Sequence, residues 1–337
     1  MREMPPRKRV LAALNLEEPD RVPWIEKYVH HQLASKLLMR PITCIAGVRT
    51  PPEVLEVLPL DNISYNFFPP TFIEEKWTIG DVSVGKGLLR TWHDLERFQE
   101  ELPDPDDERF YESAKRFLKK YRKDYAAFAD TAVGIGSAYV SMGMERFSLM
   151  LYDDLNFVEA VLDMFANWTA KVVKNLSEVG FDVIVISDDL AGKHGPLFSP
   201  KFVRDIILPR YRKVAANIEL PWIFHSDGNI LPIMDDILTL GMKGIANIEP
   251  GVMDIVHLKK NYGDRICLVG NIDLHYTLTR GTPQETEKEV KQRIQQVGPG
   301  GGYILASSNG LTAYCRPENV RAMAHALLKH GNYPIAR

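Results

Sequence analysis

From about residue 126 onward the chain repeats one pattern: a short apolar run, one or two polar residues, then a stretch with helical periodicity. The pattern predicts strands at residues 126–133, 182–186, 222–225, 244–248, 266–269 and 303–306. Four of these runs are almost continuously apolar, as expected for strands covered on both faces. Helix starts are written between them. Ser199-Pro200 places a cap before a first-turn proline, and Thr282-Pro283-Gln284-Glu285 is a complete capping box. Pro317 opens the last helix and Gly331 ends it. The first 125 residues are less regular. A helix is expected after Pro5-Pro6 with Val10, Leu11 and Leu14 on one face, then an extended run at 22–25 leading to Glu26. A helix over 27–38, a short one over 51–58, a strand over 62–68 and a hairpin over 76–90 follow.

Seven strands, with 22–25 as an eighth, alternate with helices. This fits an eight-stranded barrel or an open doubly wound sheet. The regular repeat favours the barrel, as does the lack of a glycine-rich phosphate turn after any strand. Gly134-Ile135-Gly136 is the nearest approach to such a turn and alone carries little weight. The expectation is therefore an α/β chain, a single (β/α)8 TIM barrel with extra N-terminal helices and a hairpin, residues 1–337 forming one domain.

Composition narrows the function. Forty-one basic and 44 acidic side chains give a net charge of −3, which argues against a globally basic nucleic-acid-binding surface. No apolar run is long enough to span a membrane, and the charged N-terminus does not read as a signal peptide. Cys44, Cys267 and Cys315 are too few and too scattered for a disulfide scaffold, so a reducing cytoplasm is the expected compartment.

The candidate chemistry lies where strands end. Ser187-Asp188-Asp189, His225-Ser226-Asp227, Glu249, Asn271 with Asp273, and Ser307-Ser308-Asn309 each follow an apolar run. In a β/α barrel these ends converge on the catalytic face, although acids there also cap the following helices. His225 and Asp227 are spaced i and i+2 and point to one side if the strand continues; they suit either a shared metal or a general acid and its partner. A zinc site needs further ligands, for which Glu249 and Cys315 are candidates. Asp188 and Asp189 are expected to face opposite ways, one toward the barrel mouth and one toward a cap or an ion pair. His30 and His31 read first as surface or core residues.

Several motifs carry a resemblance. Arg7-Lys8-Arg9-Val10-Leu11-Ala12-Ala13-Leu14 with Pro19-Asp20-Arg21-Val22-Pro23 resembles the opening of the uroporphyrinogen decarboxylase superfamily. So do Gly180-Phe181-Asp182, His225-Ser226-Asp227-Gly228, Gly270-Asn271-Ile272-Asp273, Gly281-Thr282-Pro283 and Pro317-Glu318-Asn319. The resemblance implies the barrel, and for the decarboxylase branch a homodimer without cofactor. That branch resembles itself in an Arg-Gln-Ala-Gly-Arg-Tyr segment whose arginines grip substrate carboxylates. Here the stretch is Trp24-Ile25-Glu26-Lys27-Tyr28-Val29, without either arginine, so a substrate with eight carboxylates is not expected.

The other branch holds corrinoid-dependent methyltransferases. Its thiol-alkylating members hold zinc with a His-x-Cys pair and a later Cys. His225 matches the histidine, Asp227 stands at the first cysteine and Asn309 at the second, so hard atoms replace soft ones. The resemblance thus implies a substrate-side methyltransferase of an O-demethylase system. It takes a methyl group from a small donor, such as a methoxyaromatic ether, to the Co(I) corrinoid (cobalamin) of a separate protein. His225 and Asp227 are the expected metal ligands or acid pair, with Asp188 and Glu249 completing the catalytic charges. Trp24, Glu26, Tyr65, Phe68, Asn271 and Asn309 are the expected substrate contacts. The alternative is a cofactor-free decarboxylase for a smaller acid, which needs a cation in the pocket; Lys193, Arg146 and Arg316 are the candidates. A non-catalytic binding protein is expected only if the strand-end acids are ordinary caps.

Overall fold

The computed structural model describes residues 3–74, 77–79 and 82–335. Seven parallel strands form one sheet in chain order: β1 (Asn62–Asn66), β2 (Ala126–Thr131), β3 (Val183–Ser187), β4 (Trp222–His225), β5 (Gly244–Ala246), β6 (Cys267–Ile272) and β7 (Tyr303–Ser307). All seven overlap strands expected from the sequence. Each strand pairs with its sequence neighbour, so the sheet winds in one direction without a reversal of strand order. That is barrel-type winding, not the doubly wound alternative.

The two edge strands are bridged by the extended run around Trp24. Ile25 N–H donates to Leu305 O at 3.1 Å, Leu305 N–H donates to Pro23 O at 2.8 Å, and Asp61 N–H donates to Trp24 O at 2.8 Å. The run thus reaches β7 on one side and the residue before β1 on the other. A network at the opposite end from the strand C-termini fixes it. The buried Asp61 carboxylate accepts from Trp24 N–H at 2.8 Å and pairs with Arg9 and Arg21. Arg9 also reaches Asp20 at 2.7 Å. The Pro19-Asp20-Arg21-Val22-Pro23 motif is therefore an anchor for this run.

Alternation along the strands separates two cores. Outward residues pack under the helices, while Phe128, Val183, Val185, Ile223, Val269 and Ile304 join a smaller inner cluster. The helix Pro6–Leu14 closes that cluster from below with Val10, Ala13 and Leu14. Gly244 makes room for it, since a Cβ there would lie 3.2 Å from Leu14 and 3.1 Å from Ile223.

One N-terminal element starts later than the sequence predicts, and the expected hairpin is present. The helix expected over 27–38 begins only at His31, as His31–Leu38. The backbone before it is occupied by long-range pairing: Val29 N–H donates to Arg49 O, His30 N–H to Leu311 O, and Leu311 N–H to Tyr28 O. The His30 ring then caps the shortened helix by accepting from Gln32 N–H. The hairpin expected over 76–90 is seen as an antiparallel ladder, Trp77–Ile79 with Val82–Val84; Lys76 and Gly80 lie outside the described residues. No helix among the described residues is long and apolar enough to cross a membrane.

Candidate active site

The inner alternation continues past the apolar cluster into a polar layer. Two residues beyond Ile25 is Lys27, beyond Phe128 is Asp130, beyond Val185 is Ser187, and beyond Ile223 is His225. A small pocket, partly open to solvent, has Phe128, Val185 and Ile223 in its floor and Lys27, His225, Asn247, Ser307 and Asn309 in its walls. These groups come from six chain segments brought together by the winding of the sheet.

His225 is 4% exposed, and among the described residues its imidazole makes no hydrogen bond. Its Nε2 lies 3.9 Å from Asp227 Oδ1. Burial, then the positive charges of Lys27 and Arg49, drive its pKa well below the usual value, so the ring is neutral and its lone pair is available. The Asp227 carboxylate receives the Asn309 amide at 3.2 and 3.4 Å, and its backbone N–H donates to Asp189 Oδ1 at 3.0 Å. Burial and the neighbouring Asp189 push Asp227 up to about 6, against the pull of Lys27. One ligand atom from each of Asp189, His225 and Asp227 falls within 4.8 Å of the others. Gly228 lets the chain turn away at once: its φ is +81°, and a Cβ would meet Ala191 O at 2.4 Å.

Asp188 was expected in this group and is not there. Its buried carboxylate accepts from the N–H groups of Val133 at 2.6 Å, Gly134 at 3.3 Å and Gly136 at 3.1 Å, at the start of the helix Ile135–Met142. Burial raises its pKa to about 6 while those amides oppose the rise. The reason is alternation at the strand end: Asp188 points back under the β2 loop, and Asp189 reaches the mouth. The Gly134-Ile135-Gly136 run acquires a role here. Gly134 takes φ +106° where a Cβ would lie 2.4 Å from Phe165, so only glycine presents these amides.

The remaining expected residues divide. Asn309 joins Asp227, as above. Glu249 instead bonds the exposed His275 at 3.1 Å. Tyr65 bonds Ser113 at 2.7 Å and packs on Phe67 and Phe117, away from the cavity. Phe68 lies under the Arg49 guanidinium. Asn271 is buried, and its Oδ1 has no hydrogen-bond partner among the described residues. Trp24 and Glu26 form a lock within the fold: Trp24 Nε1 donates to Glu26 Oε1 at 2.8 Å, and Ser307 donates through N–H at 2.9 Å and Oγ at 2.6 Å. Of the expected cations, Arg146 donates to Arg90 O, Arg316 pairs with Glu318, and Lys193 is exposed.

Burial raises the Glu26 carboxyl to about 7, opposed by its three hydrogen bonds. The folded chain therefore binds this proton more tightly than the unfolded chain, and stability from this group falls as pH rises from about 4.5 to 7. Glu26→Gln is expected to gain roughly 2–3 kcal/mol relative to the parent chain between pH 5 and pH 8. Urea unfolding at both pH values checks this; a pH-independent difference contradicts it.

Sequence reasoning missed Lys27, Arg49 and Asp130. Lys27 Nζ is 3.9 Å and Arg49 Nε 3.7 Å from Asp130 Oδ2, and of the three Lys27 lines the cavity. One signal was present: Asp130 is a charge inside an otherwise apolar strand, in phase with the inward-facing Phe128.

The family model for uroporphyrinogen decarboxylase (URO-D) matches residues 80–330, and the chain belongs to that family. It is 30% identical over 168 residues to the methylcobamide:CoM methyltransferase MtaA of Methanosarcina barkeri, a match covering 50% of this chain and 48% of that one. It is 24% identical over 242 residues to a uroporphyrinogen decarboxylase of Methylococcus capsulatus, covering 67% and 66%. The match to the methyltransferase thus spans about half the length of that relative. A solved methyltransferase from Methanosarcina mazei superposes with a TM-score of 0.76 at 21% identity, covering 97% of this chain and 99% of that one. That likeness shows the fold.

Proposed function

We propose that the chain is a corrinoid-dependent methyltransferase acting on a small oxygen-bound methyl donor, and that the run around Trp24 serves as the eighth strand of a (β/α)8 barrel. The similarity to the methyltransferase MtaA supports the branch. The observation that carries the reading is the meeting of His225, Asp227 and Asn309, with Asp227 and Asn309 directly bonded. These are the positions that match the His-x-Cys and later Cys of thiol-alkylating relatives. In this chain no sulfur stands at any of them.

The donor set suits a divalent cation such as zinc: a neutral imidazole and two carboxylates whose ligand atoms lie within 4.8 Å. His225, Asp189 and Asp227 would hold it, and it would supply Lewis acidity at the donor oxygen. Hard oxygen ligands leave more positive character for an ether oxygen than for activation of a thiol. Asn309 fixes the Asp227 carboxylate at the mouth of the barrel. The exchange is R–O–CH3 + Co(I) + H+ → R–OH + CH3–Co(III). The C–O pair stays on oxygen, which takes the proton, and the cobalt of a separate corrinoid protein is the methyl acceptor.

A second reading is favoured by Lys27 in the cavity wall: cofactor-free decarboxylation of a small acid, with Lys27 holding a carboxylate. Anaerobic incubation with Co(I) cobalamin and a panel of methyl ethers, methyl thioethers and small carboxylic acids separates the two. Release of the demethylated alcohol or phenol is the expected result. Release of CO2 without demethylation establishes the alternative.

A further inference from the structure

We infer that the Lys27 ammonium is the acid that protonates the departing oxygen of the methyl donor. The inference rests on the methyl-transfer reading and names the source of the proton which that exchange consumes.

The pocket lining narrows the choice. Among the described residues that line it, only Lys27 and His225 are titratable. His225 is a poor donor, because burial and the charges of Lys27 and Arg49 keep its ring neutral, and a neutral imidazole is a very weak acid. The other polar side chains are committed or non-acidic. Ser307 Oγ donates to Glu26 at 2.6 Å, and the Asn309 amide donates to Asp227 at 3.2 Å. Lys27 is placed differently. It stands two residues beyond Ile25 of the pocket wall, with its side chain 16% exposed. Its Nζ makes no hydrogen bond among the described residues, and Asp130 Oδ2, at 3.9 Å, is the one carboxylate oxygen within 4.0 Å. Asp130 is shared with Arg49 Nε at 3.7 Å and accepts from Ser187 Oγ at 2.7 Å through its other oxygen.

The charge of Lys27 is thus offset by its surroundings while its N–H bonds stay unused. Burial lowers its pKa from the usual lysine value; Asp130 opposes the fall, Arg49 reinforces it, and Asp189 and Asp227 oppose it from farther out. An ammonium so placed is a stronger acid than an exposed lysine, and far stronger than an aliphatic alcohol. In the step, Co(I) supplies the electron pair of the new CH3–Co bond and the C–O pair stays on oxygen. One Lys27 N–H bond breaks as the O–H bond forms: R–O–CH3 + Co(I) + Lys–NH3+ → R–OH + CH3–Co(III) + Lys–NH2. The neutral amine regains its proton from water at the open side of the pocket.

Anaerobic single-turnover transfer to Co(I) cobalamin from three matched donors tests this. Methoxybenzenes carrying 4-methyl, hydrogen or 4-cyano release phenolates of falling basicity, which need protonation progressively less. Lys27→Met is expected to slow the 4-methyl donor by roughly 10²- to 10⁴-fold, and the 4-cyano donor by roughly tenfold less than that. Lys27→Arg keeps the charge but cannot give up a proton, so it is expected to be as slow as Lys27→Met. Arg49 remains against Asp130 in both variants. Equal losses across the three donors, or rescue by arginine, overturns the inference. So does an equal rate for the parent chain in H2O and D2O with the 4-methyl donor, a comparison that needs no variant. Transfer by the parent with any of these results removes the inference alone; no transfer by the parent from any donor removes the methyl-transfer reading with it.

Discussion

Replacing Asp61 with alanine is expected to cost roughly 3–5 kcal/mol of folding stability, because it strips a buried carboxylate from two guanidiniums. Arg9 and Arg21 both pair with it, and it also accepts from Trp24 N–H. Loss of Asp61 leaves Arg9 with Asp20 and leaves Arg21 with backbone carbonyls only, those of Val22 and Pro59. It also releases the run that joins the edge strands of the sheet. The measurement is urea unfolding followed by both tryptophan fluorescence and far-ultraviolet circular dichroism. A midpoint shift of a few tenths of a molar or less would mean that the network contributes little and that the edge strands hold the Trp24 run unaided.

His225→Ala and Asp227→Ala are expected to lower methyl transfer by roughly 10²- to 10⁴-fold, whether the histidine serves as metal ligand or as acid. They are also expected to weaken zinc binding by at least about 100-fold, since losing a ligand costs more than losing a group behind one. Elemental analysis of protein purified without chelator provides a readout independent of turnover. About one divalent cation per chain in the parent and none in His225→Ala is the expected result. Equal metal content in both would assign the ion to other residues. Asp188→Asn makes the contrast: its carboxylate bonds three backbone amides, so the variant is expected to loosen the helix Ile135–Met142 while retaining the metal.

Strands such as Val183–Ser187 and Tyr303–Ser307 were legible because burial on both faces leaves a direct trace, a nearly continuous apolar run, whereas Asn62–Asn66 alternates polar and apolar residues. Residues 27–30 were not legible as extended chain, because what holds them extended is pairing with Arg49 and Leu311, distant partners that no local periodicity records. In the site, His225, Asp227 and Asn309 could be read from motif spacing, and the structure brings them together. The choice between Asp188 and Asp189 could not. At a strand end the side-chain direction depends on where the last strand residue stops, and a one-residue error exchanges the two carboxylates. Lys27, Arg49 and Asp130 come from three separate segments that only the winding of the sheet unites.

The claim that ties these observations together is that the His225 cluster transfers a methyl group to cobalt. Its most direct test is a single-turnover absorbance measurement under anaerobic conditions, mixing stoichiometric chain, Co(I) cobalamin and 3-methoxybenzoate. The Co(I) band is expected to decay into the methylcobalamin spectrum with the parent chain, with an equal yield of 3-hydroxybenzoate, and no such decay is expected with His225→Ala. Equal conversion by the two proteins would contradict it, as would CO2 release in place of methylcobalamin.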